Sequence, residues 1–423
     1  MTSDDPALVA RAAALKLLRG ALSGRGGLEE ALSTGGHGRL TAQDRGFAHA
    51  LVMATLRRLG PIDRALDTRL KREPPAPARD LLRLGAAQAF FLDTPAFAAV
   101  DTTVELTPKP LRGLVNAVLR GLLRDGPPNL DPETYAPPWL FARWRAAHGE
   151  EAALAIAAMI ADEPATDITP RDLEDGDLTE ELGAERLPGG SLRTGRRGDV
   201  AAWPGYEAGR WWVQDAAAAI PARLTGAAPG QAVLDLCAAP GGKTLQLAAT
   251  GAAVTALDRS ASRLRRLTAG LKRTGLTAEV VAADAAAWDD ARSFDAVLLD
   301  APCSSTGTFR RHPDVLWNAK PGDIAVMAAI QAALLAAAAA RVKAGGRLIY
   351  SVCSLEREEG EDQIGAFLDA RADFALDPIA AGEGGAPAAS LAPEGWLRIL
   401  PHHAPGGLDG FFIARLRRAA NLT

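Results

Sequence analysis

Two of the three cysteines in this chain, Cys303 and Cys353, each follow a short apolar run. Cys303 lies in Asp300-Ala301-Pro302-Cys303-Ser304, after Ala296-Val297-Leu298-Leu299. Cys353 lies in Tyr350-Ser351-Val352-Cys353-Ser354, after Gly345-Gly346-Arg347-Leu348-Ile349. Such runs read as buried parallel strands, and open α/β sheets bind ligands at the carboxyl ends of their strands. Two thiols delivered to one such edge suggest a nucleophile and a helper, one to attack a ring and one to assist its release.

The third cysteine opens a ligand-binding turn. Val233-Leu234-Asp235-Leu236-Cys237-Ala238-Ala239-Pro240-Gly241-Gly242-Lys243-Thr244 reads as strand, glycine-rich turn and helix start. Its glycines let backbone N–H groups approach a ligand closely. The ending Gly-Lys-Thr raises a phosphate-binding P-loop, but that motif needs glycine where this chain has Cys237. Asp258 closes the next strand, Ala252 to Leu257, about twenty residues on, where a carboxylate meets ribose hydroxyls. Asp284 ends a third strand, Ala278 to Ala283, where a carboxylate can receive an adenine amino group, and Asp300 ends a fourth. A single aspartate of this kind also reads as a helix N-cap. Four strands ending in register in a glycine turn or a carboxylate match a site for S-adenosylmethionine.

The elements that must carry these residues differ along the chain. Residues 5–125 lack strand alternation and carry leucine and alanine at helical spacing, as in Leu51-Val52-x-x-Thr55-Leu56-x-x-Leu59 and Leu81-Leu82-x-Leu84. Prolines at 61, 74, 75, 77, 95, 108 and 110 punctuate helices, which predicts a bundle. Residues 130–200 predict helices over Trp139 to His148 and Glu151 to Ile160, a strand at Thr166 to Thr169, and a loop from Gly189 to Gly198. The division expected is 1–125 helical, 126–204 linking and 205–423 catalytic. The last two strands of a seven-stranded mixed sheet are expected from Trp396 to Leu400 and from Gly410 to Leu416.

Composition narrows the class. The chain has 423 residues and a net charge of −4, so bulk charge does not advertise nucleic acid. Residues 1–150 hold 20 Lys+Arg against 16 Asp+Glu, leaving −8 for the rest, so any phosphate contact is expected on the N-terminal lobe. The apolar runs look interrupted before membrane length, and Ala328 to Ala340 reads as an ordinary helix. No secretory signal is visible, and few cysteines suggest reduced thiols in a cytoplasm. His402-His403 is the sole histidine pair and lacks metal-ligand spacing, so no metal is expected.

These residues carry a resemblance to the RsmB/Sun family of RNA cytosine-5 methyltransferases. It rests on Cys237 to Thr244, Asp258, Asp284, the block from Asp300 through Arg310-Arg311-His312-Pro313-Asp314 to Trp317, Tyr350 to Ser354, and Asp409-Gly410-Phe411-Phe412. Upstream, Gly209 to Asp215 is similar to the family's lead-in to the catalytic domain. Asp44 to Ala48, Leu51 to Arg58, Gln88 to Leu92, Ala98 to Val104 and Val115 to Arg120 resemble the NusB RNA-binding fold. The resemblance implies a class I, Rossmann-like α/β methyltransferase domain behind an all-α NusB-like bundle. It also implies a monomeric cytoplasmic enzyme that uses S-adenosylmethionine, touches no membrane, and acts on RNA, foremost 16S ribosomal RNA.

Family chemistry separates the thiols. Cys353 is the expected nucleophile toward cytosine carbon 6, and Cys303 assists proton removal and release. DNA cytosine-5 enzymes use the Pro-Cys thiol instead, so Pro302-Cys303 alone would point to the wrong residue. Asp300 is expected at the cytosine ring edge, Lys243 at Asp300 or the transferred methyl, and Arg310, Arg311 and His312 at RNA phosphates. Val352 departs from the family's usual threonine. Two other functions stay open: a transfer RNA enzyme of the same chemistry, and a NusB-like antitermination factor with a vestigial catalytic domain.

Overall fold

The computed structural model describes residues 6–24, 26–34 and 40–420. The chain forms two compact units, residues 1–163 with 309–319, and residues 164–308 with 320–423.

The first unit is helical. Its long helices run over Pro6–Ala21, Ala42–Arg57, Ala76–Phe91, Ala96–Leu106 and Arg112–Asp125. Their apolar stripes meet in one core that includes Leu17, Leu51, Leu56, Leu82, Val115 and Leu119. Pro75 and Pro95 stand at helix N-caps, where a proline's missing N–H is tolerated. Part of the lobe's positive charge is consumed internally. Arg79 pairs with Asp63, Asp67 and Glu73, and Arg83 with Asp63 and Asp80.

Two features depart from the three-part division. Helices Pro138–His148 and Glu150–Ala158 belong to the helical unit, where Arg57 Nη1 donates to Ile160 O at 3.2 Å. The segment Phe309–Ala319 belongs there too, although it follows the Cys303 loop by only a few residues. Phe309 stacks at 5.8 Å on Trp144, and Arg57 Nη2 donates to Arg310 O at 2.6 Å. Asp314 Oδ2 accepts from Leu28 N at 2.9 Å, and Asn318 Nδ2 donates to Ala21 O at 2.6 Å. The boundary between the units falls at residue 163 because the chain then turns from helix to sheet.

The second unit begins with a small antiparallel sheet of β1 (Thr166–Pro170), β2 (Ala184–Arg186), β3 (Leu192–Thr194) and β4 (Trp211–Val213), in the order β2-β3-β1-β4. Strand β3 lies inside the stretch expected to be a loop. Three residues are too few to show alternation, and pairing with β1 and β2 makes them a strand.

The main sheet contains β5 (Ala232–Leu236), β6 (Ala253–Asp258), β7 (Glu279–Ala282), β8 (Phe294–Asp300), β9 (Val342–Val352), β10 (Phe374–Leu376), β11 (Leu397–Ile399) and β12 (Phe411–Arg418). The order is β10-β12-β9-β8-β5-β6-β7, with β11 also on β12. Strands β5 to β9 pair in parallel, and β12 is antiparallel to β9, β10 and β11. The eighth strand, β10, was not expected. It shares the outer edge of β12 with β11, pairing residues 416–418 while β11 pairs 411–413.

Burial on both faces explains the unbroken apolar runs. Leu234, Val297, Leu299, Leu348 and Tyr350 enter one core, while Val233, Leu298 and Ile349 enter the other. The crossover helix Pro321–Ala340 packs on β8 and β9. It is long and apolar enough to cross a membrane by length and composition, contrary to the interrupted run read from the sequence. Its Ile324, Leu334, Leu335, Ala338 and Ala339 are buried within the protein.

The chain winds outward from β5 through β6 to β7, then returns to place β8 on the other side of β5. That reversal is a topological switch point, where a doubly wound sheet opens a crevice at its carboxyl edge.

Candidate active site

Cys237 leaves β5 at the switch point with φ +61°, a left-handed conformation that is uncommon outside glycine. Gly241 follows at φ +116°, where a Cβ would lie 2.9 Å from Leu267 Cγ, so the turn fits only a glycine there. Helix Gly242–Ala249 then starts, presenting its first backbone N–H groups to the crevice. Burial pushes the Cys237 thiol up to about 12, so this cysteine is chemically silent.

The predicted carboxylates flank the turn but differ in duty. Asp258 is buried, and its oxygens accept from Ala239 N at 3.1 Å and Ser260 N at 2.8 Å. It therefore pins the turn. Asp284 is exposed two residues beyond β7 and accepts from Ala286 N at 2.9 Å. Beneath the turn, Asp235 takes a hydrogen bond from Thr244 Oγ1 at 2.6 Å, while its Oδ1 is buried with no hydrogen-bond partner. Burial raises its pKa to about 7. Backbone donors, carboxylates at three successive strand ends and an orphaned buried acceptor suit a cationic, adenosyl-bearing cofactor.

At the ends of β8 and β9 the two other thiols meet. Cys303 Sγ lies 3.5 Å from Cys353 Sγ, and Ser305 Oγ lies 3.9 Å and 3.8 Å from them respectively. Asp300 has both oxygens engaged, Oδ2 by Lys243 Nζ at 2.8 Å and Oδ1 by Ser351 Oγ at 2.9 Å. Its side chain stays 31% exposed, whereas Lys243 is nearly buried and also sits 5.4 Å above the Phe411 ring. The Cys303 S–H donated to Cys353, with help from Lys243, holds the Cys353 thiol below its ordinary value. Cys303 is held well above its own by that contact, by burial and by the Glu359 charge.

The two cysteine loops are locked onto the start of β12. Gly307 N donates to Cys353 O at 3.0 Å, and Gly410 N to Gly307 O at 2.8 Å. A Cβ on Gly307 would fall 2.2 Å from Gly410 O, and one on Gly410 would fall 2.5 Å from Leu355 Cδ2, which explains the glycine at each position. Val352 is fully buried in the core beside Phe412, its β12 partner, so a hydroxyl has no task there.

The structure thus gathers Cys303, Cys353, Asp300 and Lys243 at one point and sets the Cys237–Lys243 turn, Asp258 and Asp284 along the same sheet edge. It does not bring Arg310 to that surface: the side chain is 2% exposed, inside the helical unit. Sequence reasoning also missed Asp235, Ser305, Ser351 and Glu359. Ser305, at φ +58°, could not have been found, because its position depends on backbone strain. Ser351 could have been, since it lies two residues before Cys353, near the end of the strand that Cys353 follows.

Comparisons with known proteins place both parts of the chain in known families. Residues 224–417 match the family of 16S rRNA methyltransferases RsmB/F, and residues 8–124 match the NusB family. Fold, site and matches together define an S-adenosylmethionine-dependent RNA methyltransferase. A ribosomal RNA small subunit methyltransferase B from Pseudomonas syringae pv. tomato is 37% identical, with 97% of each chain covered. A probable enzyme of that name from Bacillus subtilis is 32% identical over 90% of this chain and 92% of its own. The chain belongs to the RsmB/F methyltransferase family. Among solved structures, PH0851 superposes with a TM-score of 0.80 at 26% identity, covering 98% of this chain and 99% of its own. A methyltransferase homolog from Pyrococcus horikoshii gives 0.56 at 27% identity, covering 74% and 100%.

Proposed function

We propose that this enzyme methylates carbon 5 of a cytidine in 16S ribosomal RNA, in the cytoplasm, through a transient covalent bond between RNA and Cys353. The observation that carries this reading is the 3.5 Å contact between Cys303 and Cys353 beside Asp300. Carbon 5 of cytosine is too weak a nucleophile to take a methyl group unaided. Addition of the Cys353 thiolate to carbon 6 pushes electron density onto carbon 5. Asp300, oriented by Lys243 and Ser351, accepts from the amino group of the base or from its ring nitrogen once that nitrogen is protonated, which favours the activated base. Once carbon 5 carries the methyl group, its proton passes to a base, the C–H electron pair restores the C5–C6 double bond, and Cys353 leaves carbon 6 as a thiolate, with Cys303 the neighbour that assists.

The turn from Cys237 through Ala238, Ala239, Pro240, Gly241 and Gly242 to Lys243, with Asp258 and Asp284, would hold S-adenosylmethionine, which supplies an electrophilic methyl group. The target base must leave its stack to reach two half-buried thiols, which favours a loop or an unfolded segment of RNA. The helical unit, with its match to the NusB family, is the part we assign to RNA binding.

Bisulfite sequencing of total RNA from a deletion strain tests the reading. One 16S cytidine should lose protection and regain it when the gene is restored. Loss at a transfer RNA position with 16S unchanged would replace the substrate. No loss anywhere, with no methyl transfer by the purified protein, would leave a vestigial catalytic domain.

A further inference from the structure

Glu359 is fully buried, and its carboxylate gathers the two cysteine loops. Oε1 accepts from Ser304 N at 2.8 Å and from Gln331 Nε2 at 3.1 Å. Oε2 accepts from the hydroxyls of Ser304 and Ser354. Ser304 directly follows Cys303 and Ser354 directly follows Cys353, so one side chain ties together the neighbours of both thiols. Gln331, a buried polar residue on the alanine-rich crossover helix, also donates to Pro302 O at 2.9 Å. Tyr350 OH donates to the Glu359 carbonyl at 2.7 Å and fixes the backbone from which the carboxylate reaches.

We propose that Glu359 is the positioning residue of the thiol pair, holding the two cysteine loops at sulfur contact and supplying the buried negative charge on the Cys303 side. The inference rests on the assignment of Cys353 as nucleophile and Cys303 as helper. Pairing of β8 with β9 ends at Asp300 and Ser351, so contacts between the loops set the sulfur–sulfur distance, the Gly307 N to Cys353 O hydrogen bond on one side and the Glu359 clasp on the other. Four converging donors fit a carboxylate, and a buried anion disfavours a second negative charge beside it. The Glu359 charge bears on Cys303 and the Lys243 charge on Cys353, so the ionised thiol is Cys353. That charge asymmetry gives two like side chains unlike roles.

The test uses the full-length protein with Glu359→Gln, which keeps the shape and removes the charge. A Ser304→Ala/Ser354→Ala double variant cuts the clasp and keeps the charge. Thermal unfolding and S-adenosylmethionine binding report folding. Methyl transfer to a 16S transcript gives kcat and KM, and iodoacetamide labelling without RNA gives the pH profile of each thiol by peptide mass. Glu359→Gln should lower kcat by about 10²-fold, the lower end of what a correctly protonated acid–base group contributes, with KM and cofactor affinity little changed. Its Cys303 labelling should shift to lower pH, so that both thiols react together. The serine double variant should lower kcat while Cys353 still reacts before Cys303.

A folded Glu359→Gln enzyme with an unmoved labelling profile overturns the proposal, whatever its kcat. If that variant does not fold, wild-type kcat in the serine double variant overturns it instead. Because labelling needs no RNA, this failure is distinct from failure of the thiol assignment, which trapping of a protein–RNA adduct reads.

Discussion

Replacing Cys303 by alanine should trap RNA on the enzyme. The structure allows the two consequences of that change to be weighed against each other. Cys303 Sγ lies 3.5 Å from Cys353 Sγ, and a hydrogen bond from its S–H to an ionised Cys353 favours the thiolate that attacks. Losing one such hydrogen bond costs about 1 kcal/mol, or less than about 10-fold in the rate of attack. Losing a group that assists proton removal costs about 10²–10⁴-fold in the release step. Release should therefore slow far more than attack, and the adduct through Cys353 should accumulate. Cys353→Ala should form no adduct and no product, and the double variant should behave like Cys353→Ala. The assay is a denaturing gel of enzyme with 16S transcript and S-adenosylmethionine, followed in time for a slow-migrating protein–RNA band. An adduct in Cys353→Ala with none in Cys303→Ala would refute the assignment and make the Pro302-Cys303 thiol the nucleophile.

Asp258→Ala should weaken S-adenosylmethionine binding by about 1.5–3 kcal/mol, the loss expected for a hydrogen bond to a charged group; unchanged affinity by calorimetry in a folded variant would remove Asp258 from the site. Cys237, with its thiol pushed up to about 12, is protonated throughout the physiological range, so iodoacetamide at pH 8 should label Cys353 and leave Cys237 unmodified in peptide mass maps. Gly307→Ala should destabilise the protein by about 1–3 kcal/mol through overpacking against Gly410 O, seen as a lower Tm with methyl transfer abolished. RNA binding by the helical unit is better tested by charge reversal than by deleting residues 1–125, because that deletion would also strip Phe309–Ala319 of its packing. Lys71→Glu with Arg72→Glu, both exposed, should weaken RNA binding and make its salt dependence shallower, by roughly 0.7 in log–log slope for each phosphate no longer neutralised, with cofactor affinity unchanged.

Much of the catalytic unit was legible in the residues themselves. Parallel strands buried on both faces are written as unbroken apolar runs, so β5, β6, β8 and the second half of β9 could be read directly. Because ligand chemistry sits where such strands end, Cys237, Asp258, Asp300 and Cys353 could be located by counting from the runs. The helices before residue 125 were legible for the matching reason, a leucine and alanine period near 3.6. The chain could not announce that helices Pro138–His148 and Glu150–Ala158 join the helical unit, nor that β3 and β10 are strands. A three-residue strand has no period to detect, and only its partner makes it a strand.

The residues that complete the site were decided by packing between segments far apart in sequence. Arg310 reads as a phosphate ligand beside a catalytic loop, yet the stacking of Phe309 on Trp144 and the hydrogen bond from Arg57 turn that segment into the helical core. Glu359 reads as one acid among several in Glu356-Arg357-Glu358-Glu359, and only the approach of Ser304, Ser354 and Gln331 makes it a buried anion. Even the contact between the two thiols belongs to this class. Sequence pattern reports which residue types end each strand, because burial acts on one segment at a time. Distance and charge at the site depend on several segments at once, so they exist only in the folded chain.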